Sequence, residues 1–284
     1  MEENNAVLNT IQIMTNRIFN SIDDNLVGVL DRLVFLDNNV FIDNSMAIHI
    51  YKIAATMKVI AESILIGYVV YYLIRYLISR ITMTSKEDLE NPLTFFTKVI
   101  LCGIAMYNSG EICKFLINLN SNISTDLFEN MIGITGIPGF KIFLNTINRS
   151  LLGGQDSFDI FSIDGIFKGF ISFGTLNMTI SFAMRYILIR ALVIIAPVAF
   201  VFKTYSKTEK YFDMWLKAFI SLLLVQHFIT VLLMIGGMLK DIHLDTLNKI
   251  AYIGLIYALS KSFTIFEKLF GGFAPDAQVS FPFK

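Results

Sequence analysis

The chain has 284 residues, of which 55% are apolar and 16% charged, and its 23 basic and 23 acidic side chains cancel to a formal net charge of zero. Its mean hydropathy of +0.62 is high for a soluble domain. The zero balance argues against wholesale electrostatic capture of nucleic acid, though it leaves a local basic patch open. Residues 1–50 read as an amphipathic helical region. Val7, Ile11, Met14, Ile18, Ile22, Leu26, Val29 and Leu33 recur at three- and four-residue steps and make one apolar stripe. Interfacial helices that bind anionic lipid are rich in Lys and Arg. Asp23 and Asp31 mark this one as acidic, so the stripe points to protein contact, with Val7, Ile11, Ile18 and Ile22 as oligomer-contact candidates. The acidic start and the lack of an apolar h-region predict that no signal peptide is cleaved. Asp37-Asn38-Asn39 and Asp43-Asn44-Ser45 then break the pattern.

Five long apolar runs follow: Ile53–Ile78, Leu93–Leu116, Phe167–Phe202, Ala218–Leu239 and Ile250–Phe266. A hydrocarbon core about 30 Å thick needs roughly 20 helical residues, so each run is long enough, or nearly so, to cross. The expected fold is all-α: a polytopic integral membrane protein with about five transmembrane helices. Tyr68, Tyr71, Tyr72 and Tyr76 crowd the end of the first run beside Arg75 and Arg80. Such aromatic and cationic residues mark a membrane–water boundary. A polar link, 83–91, leads to Pro92, which suits the first turn of the second helix. Cys102 and Cys113 lie about 16 Å apart along that helix, too far for a disulfide, and read as small apolar core residues.

Residues 118–165 hold no spanning run and are expected to form a small extracytoplasmic cap. It opens with a loop at Asn118–Ser124, a short helix over Asp126–Ile132, an irregular Gly133–Gly139 and an amphipathic Phe140–Leu152. The third run would reach about 54 Å as one helix, so it is either a long helix that begins outside the membrane or a broken one. Gly165, Gly169 and Gly174 near its start permit close helix packing, and Pro197 is placed to kink it. A basic link, 203–213, precedes the fourth run, and a proline-bearing tail, 269–284, follows the fifth. The expected organisation is thus 1–50, 51–117, 118–165, 166–268 and 269–284. With five crossings the basic links 83–91 and 203–213 and the tail share one side. The positive-inside rule makes that side cytoplasmic and puts the N-terminus outside.

Charges inside apolar runs are the site candidates, because a charge at membrane depth needs a partner, a cavity or water. They are Glu62, Glu111, Arg185, Arg190 and His227, with Lys98 and Lys261 beside them. Arg185 and Arg190 lie about 140° apart around a helix and cannot share one narrow face. One is expected to pair with Glu62 or Glu111, while the other faces a subunit or a water-filled path. Structural pairing of both is the plainer alternative. Three histidines without ligand spacing, and the absence of nucleotide-binding, hydrolase or metalloprotease motifs, point to no metal, no cofactor and no enzyme.

The stretch Met184–Phe200, with Ala196-Pro197, a polar link to Tyr211 and Trp215 at the next helix entry, resembles the TrbL family of polytopic channel subunits of type IV secretion and conjugation systems. The likeness in sequence covers about 184–226; in layout it covers the chain. It implies a bacterial inner-membrane structural or channel subunit, with no catalysis of its own. It also implies other secretion subunits and ATPases as partners and a transient DNA or protein substrate, while the Val7–Leu33 stripe and the close packing that Gly165 and Gly169 allow predict a cyclic homo-oligomer within such a machine. Two other classes stay open on the residues alone: a small-solute or ion transporter, and a membrane-embedded assembly or toxin-immunity protein with no pore.

Overall fold

The computed structural model describes residues 10, 13–18, 21, 29–30, 33–34, 44–82, 90–152, 162–239 and 245–270. Eight helices are delimited among them, and no strand occurs among the described residues. They are α1 (Asn44–Thr82), α2 (Pro92–Tyr107), α3 (Ser109–Thr135), α4 (Phe140–Leu152), α5 (Ile163–Phe202), α6 (Glu209–Met238), α7 (Asp245–Ser260) and α8 (Ser262–Phe270). By length and composition three of them can cross a membrane: Lys52–Ile81, Gly165–Phe202 and Glu209–Met238. A fourth crossing is available if α2 and α3 count as one bent span. The chain is therefore all-helical and compatible with a multi-pass membrane protein.

The second apolar run departs from expectation in two ways. It breaks at Asn108, where α2 and α3 meet at 66°. The Asn108 side chain and its own N–H both donate to the Ile104 carbonyl, so this polar residue ends α2 from within. The helix then resumes and runs through 118–132, where a loop and a short separate helix were expected. The reason is a stripe of buried positions, Cys113, Ile117, Asn120, Ser124 and Met131, that keeps helical spacing across the Asn- and Ser-rich stretch. Two polar residues occupy places on a buried face, which disguises the period. Irregular backbone begins at Gly136 rather than Gly133. Gly136 adopts φ 65°, and its N–H caps the Ile132 carbonyl. That left-handed stop suits glycine, and Pro138 follows it.

The third run is one continuous 40-residue helix with Pro197 inside it. The fifth is divided at Lys261 into α7 and α8, of 16 and 9 residues, so no single helix of spanning length forms there. Half of the N-terminal stripe, Val7, Ile11, Ile22 and Leu26, lies outside the described residues. Of its described members, Met14, Ile18 and Val29 are exposed, whereas Leu30 and Val34, off the stripe, are fully buried.

The helices form two compact units. The first comprises Met1–Asp37, Ser121–Tyr186 and Leu222–Lys284. Its packing is aromatic: Phe140 and Phe263 approach Phe182 with ring centroids at 6.4 and 5.3 Å. Glycines admit close neighbours there. A Cβ on Gly174 would stand 2.4 Å from Ile256, and one on Gly236 would stand 2.3 Å from Leu255. The second unit comprises Asn38–Asn120 and Ile187–Ser221. Ala61, Met106 and Val201 form a small buried cluster, and Tyr72 stacks on Phe95 at 3.9 Å. Asn91 caps α2 by accepting from the Leu93 N–H, with Pro92 in the first turn as its sequence suggested.

Candidate functional site

In the first unit the dominant feature is Arg185, whose side chain is fully buried. It sits on α5 amid apolar packing, and its guanidinium is held by oxygens alone. Nε donates to the Leu222 carbonyl at 2.7 Å and one terminal nitrogen to the Val34 carbonyl at 2.9 Å. The other donates to Gln226 Oε1 at 2.9 Å and to the Leu223 carbonyl at 3.4 Å. The expectation that Glu62 or Glu111 pairs with this arginine is replaced by a different solution. Neutral oxygens match the planar fork, and no carboxylate joins them among the described residues. Carbonyl dipoles in a low-dielectric interior can hold a cation without a counter-charge. His227, one residue on from Gln226, is half-buried on α6.

In the second unit the polar end of the helices carries a cluster of aromatic and cationic side chains. Tyr205, in the short link after α5, stacks on Tyr68 and meets Tyr71 edge-on, each at 5.8 Å. Tyr68 donates to the Thr208 hydroxyl at 3.3 Å, and Tyr72 donates to the Glu90 carbonyl at 2.8 Å. A recess of about 40 Å³ lies among Tyr71, Arg75, Glu90, Tyr205 and Lys207. Burial first, and then a bond with Tyr71, pushes the Tyr205 hydroxyl above its ordinary pKa. Lys203 pairs with Glu209 and, at 3.5 Å, with Asp213. The hydrogen bond to Glu209 raises its ammonium above the ordinary lysine range.

The remaining sequence candidates fall as follows. Glu62 is exposed on α1 and has no partner among the described residues. Glu111 is exposed in the first turn of α3 and pairs with Lys114 at 2.8 Å. Lys98 pairs with Glu90 at 2.7 Å. Arg190 is half-buried on α5 in the second unit. Ala196 and Pro197 are buried. Trp215 is also buried, stacks on Phe219 and donates its indole N–H to the Leu192 carbonyl at 3.0 Å. That carbonyl neighbours Val193, whose own i+4 donor Pro197 removes. Gly165 is buried and its N–H bonds to the Ser162 hydroxyl, while Gly169 is half-buried. Ile18 is exposed. Cys102 and Cys113 are buried free thiols. No group of three or more His, Cys, Asp or Glu suited to a metal occurs among the described residues.

Sequence reasoning missed the Val34, Leu222 and Leu223 carbonyls, because backbone atoms carry no residue signature. It also passed over Gly236-Gly237, a pair near the end of the fourth apolar run whose cost to a helix was a usable signal. Comparison with protein-family models, with curated proteins and with solved structures returns no match for this chain.

Proposed function

We propose that the chain is an inner-membrane structural and channel subunit of a type IV secretion machine for conjugative DNA or protein transfer, working as a cyclic homo-oligomer. The observation that carries this is α1. Only 6% of its most apolar stretch is buried within the chain, and its outward surface bears a carboxylate, Glu62. Lipid can cover the apolar part of that surface but cannot solvate the charge, so the helix calls for protein neighbours or a water path. The likeness of Met184–Phe200, the link and Trp215 to the TrbL family supplies the kind of assembly. The same likeness makes secretion ATPases and other membrane subunits the partners, and gives the chain no cofactor and no catalytic role.

In this reading the N-terminus is outside and the links 83–91 and 203–208 are cytoplasmic. The α7–α8 pair serves as a broken fifth crossing, interrupted at Lys261, that returns the tail to the cytoplasm. Native mass spectrometry in mild detergent tests the assembly: a ring of several copies is expected. A strictly monomeric protein, monomeric also by cross-linking in membranes, would count against the channel subunit and favour a solute transporter.

A further inference from the structure

We infer that the outward face of α1 is a contact with a second copy of this chain, in which Glu62 of one copy meets Lys217 of the next. The inference rests on the ring-forming reading and names its contact. Glu62 lies ten residues from Lys52, where the candidate span begins, and ten from Tyr72 in the tyrosine belt. At 1.5 Å per residue it stands about 15 Å from each, near the middle of a core about 30 Å thick. Its own helix does not neutralise it. Lys58, one turn away, is turned over the Tyr107 ring at 4.9 Å, and Arg75 stands over Tyr71 at 6.0 Å. A carboxylate at that depth costs on the order of 3 kcal/mol on insertion scales unless something compensates it.

The surface around Glu62 has the form of a helix-packing seam. Val59, Ser63, Ile66 and Val70 are all exposed and follow the 4-3-4 steps of a packed helix pair. Gly67 lies beside them with nothing within 4 Å of the place a Cβ would take. A glycine inside a helix costs about 1 kcal/mol against alanine, and no contact among the described residues requires this one. Ser63 and Gly67, four residues apart, let a neighbouring backbone come close.

Lys217 supplies the complement. It is exposed two turns into α6, in the same unit as Glu62, and has no partner among the described residues. Its flexible stem lets the ammonium shift several ångströms in depth. Opposite charges on two helices, each without a partner among the described residues of its own chain, suit a head-to-tail contact. Each copy gives its carboxylate to one neighbour and its ammonium to the other, and such contacts close into a ring when the rotation permits. A parallel two-fold pairing of α1 with itself would instead set Glu62 against Glu62.

The test uses the full chain in its membrane, with Cys102→Ala and Cys113→Ala as background. Glu62→Cys and Lys217→Cys chains are co-expressed and treated with a short lipid-permeable bismaleimide. A cross-linked dimer from the mixed pair, absent from either variant alone, is expected. In parallel, Glu62→Lys or Lys217→Glu should shift the native mass spectrum from ring to monomer at least tenfold, and the double reversal should restore the ring. A wild-type ring with neither cross-link nor restoration overturns this contact and leaves the oligomer reading standing. A wild-type monomer removes both.

Discussion

Arg185 shows how one buried cation can organise a stretch of an all-helical chain. Its four bonds reach Val34, Leu222, Leu223 and Gln226, so the guanidinium ties α6 and the Val34 backbone to α5. Lysine has three donors on one atom and cannot reproduce that fork. Arg185→Lys should therefore cost about 2 kcal/mol, the scale of bonds to a charged group, and lower the melting temperature followed by circular dichroism. Arg185→Gln should be at least as damaging. An unchanged melting curve in both variants would deny the brace. Arg190 offers the contrast. If its guanidinium fixes a subunit contact or lines a path, Arg190→Leu should insert normally and lose substrate transfer, and normal transfer would leave only packing. That both arginines needed partners was legible in the sequence. Which atoms serve was not, because three of the four acceptors of Arg185 are or include backbone carbonyls that any residue could provide.

At the scale of elements, glycines and polar stripes decide where helices meet. Gly174→Val should force Ile256 aside, since even a Cβ would come within 2.4 Å of it, at a cost of about 1–3 kcal/mol for overpacking. Gly67→Ala meets open space and should leave the monomer as stable or slightly more so. The pair of melting curves separates a glycine that serves packing within the chain from one on its surface. The link after α5 carries a pH dependence of definite sign. Lys203 has its folded pKa raised by Glu209, so its stabilising contribution is complete below the free-lysine value of about 10.4 and fades as pH rises through the raised one. Lys203 stands 5.5 Å over the Phe212 ring, which neighbours Trp215, the chain's one tryptophan. Trp215 fluorescence should therefore change above that pH and stay flat in Lys203→Met. The long α3 was illegible for a related reason. Asn120 and Ser124 look like loop residues one at a time, and only the burial of the stripe they belong to makes them helical.

For the molecule as a whole, the open quantity is the sidedness of its ends. Ser206 is exposed in the basic link between two candidate spans. With that link cytoplasmic, Ser206→Cys should resist an impermeant thiol reagent in intact cells and react in inverted vesicles. Ser280→Cys reports on α7–α8: protection like that of Ser206 means the pair completes a crossing, and labelling from outside means the chain crosses only four times. Labelling of Ser206 from outside would reverse the orientation. The arithmetic behind the tail is simple, since an odd number of crossings puts the two ends on opposite sides.

Composition and periodicity by themselves determined the class of this chain. Long apolar runs demand helices, since the bilayer offers no partner for backbone polar groups, and that physics is local enough to read residue by residue. The same holds for the start of α2 at Pro92, whereas the basic link expected over 203–213 ends earlier, because α6 already begins at Glu209. Tertiary structure alone decided the break at Asn108, the extension of α3 to Thr135 and the division at Lys261, because each depends on which face is buried against what. It also decided that Arg185 turns to carbonyls while Glu62 is left facing outward. Two charges inside apolar helices look alike in sequence, and only the packing of neighbouring elements determines which is enclosed and which must look beyond the chain.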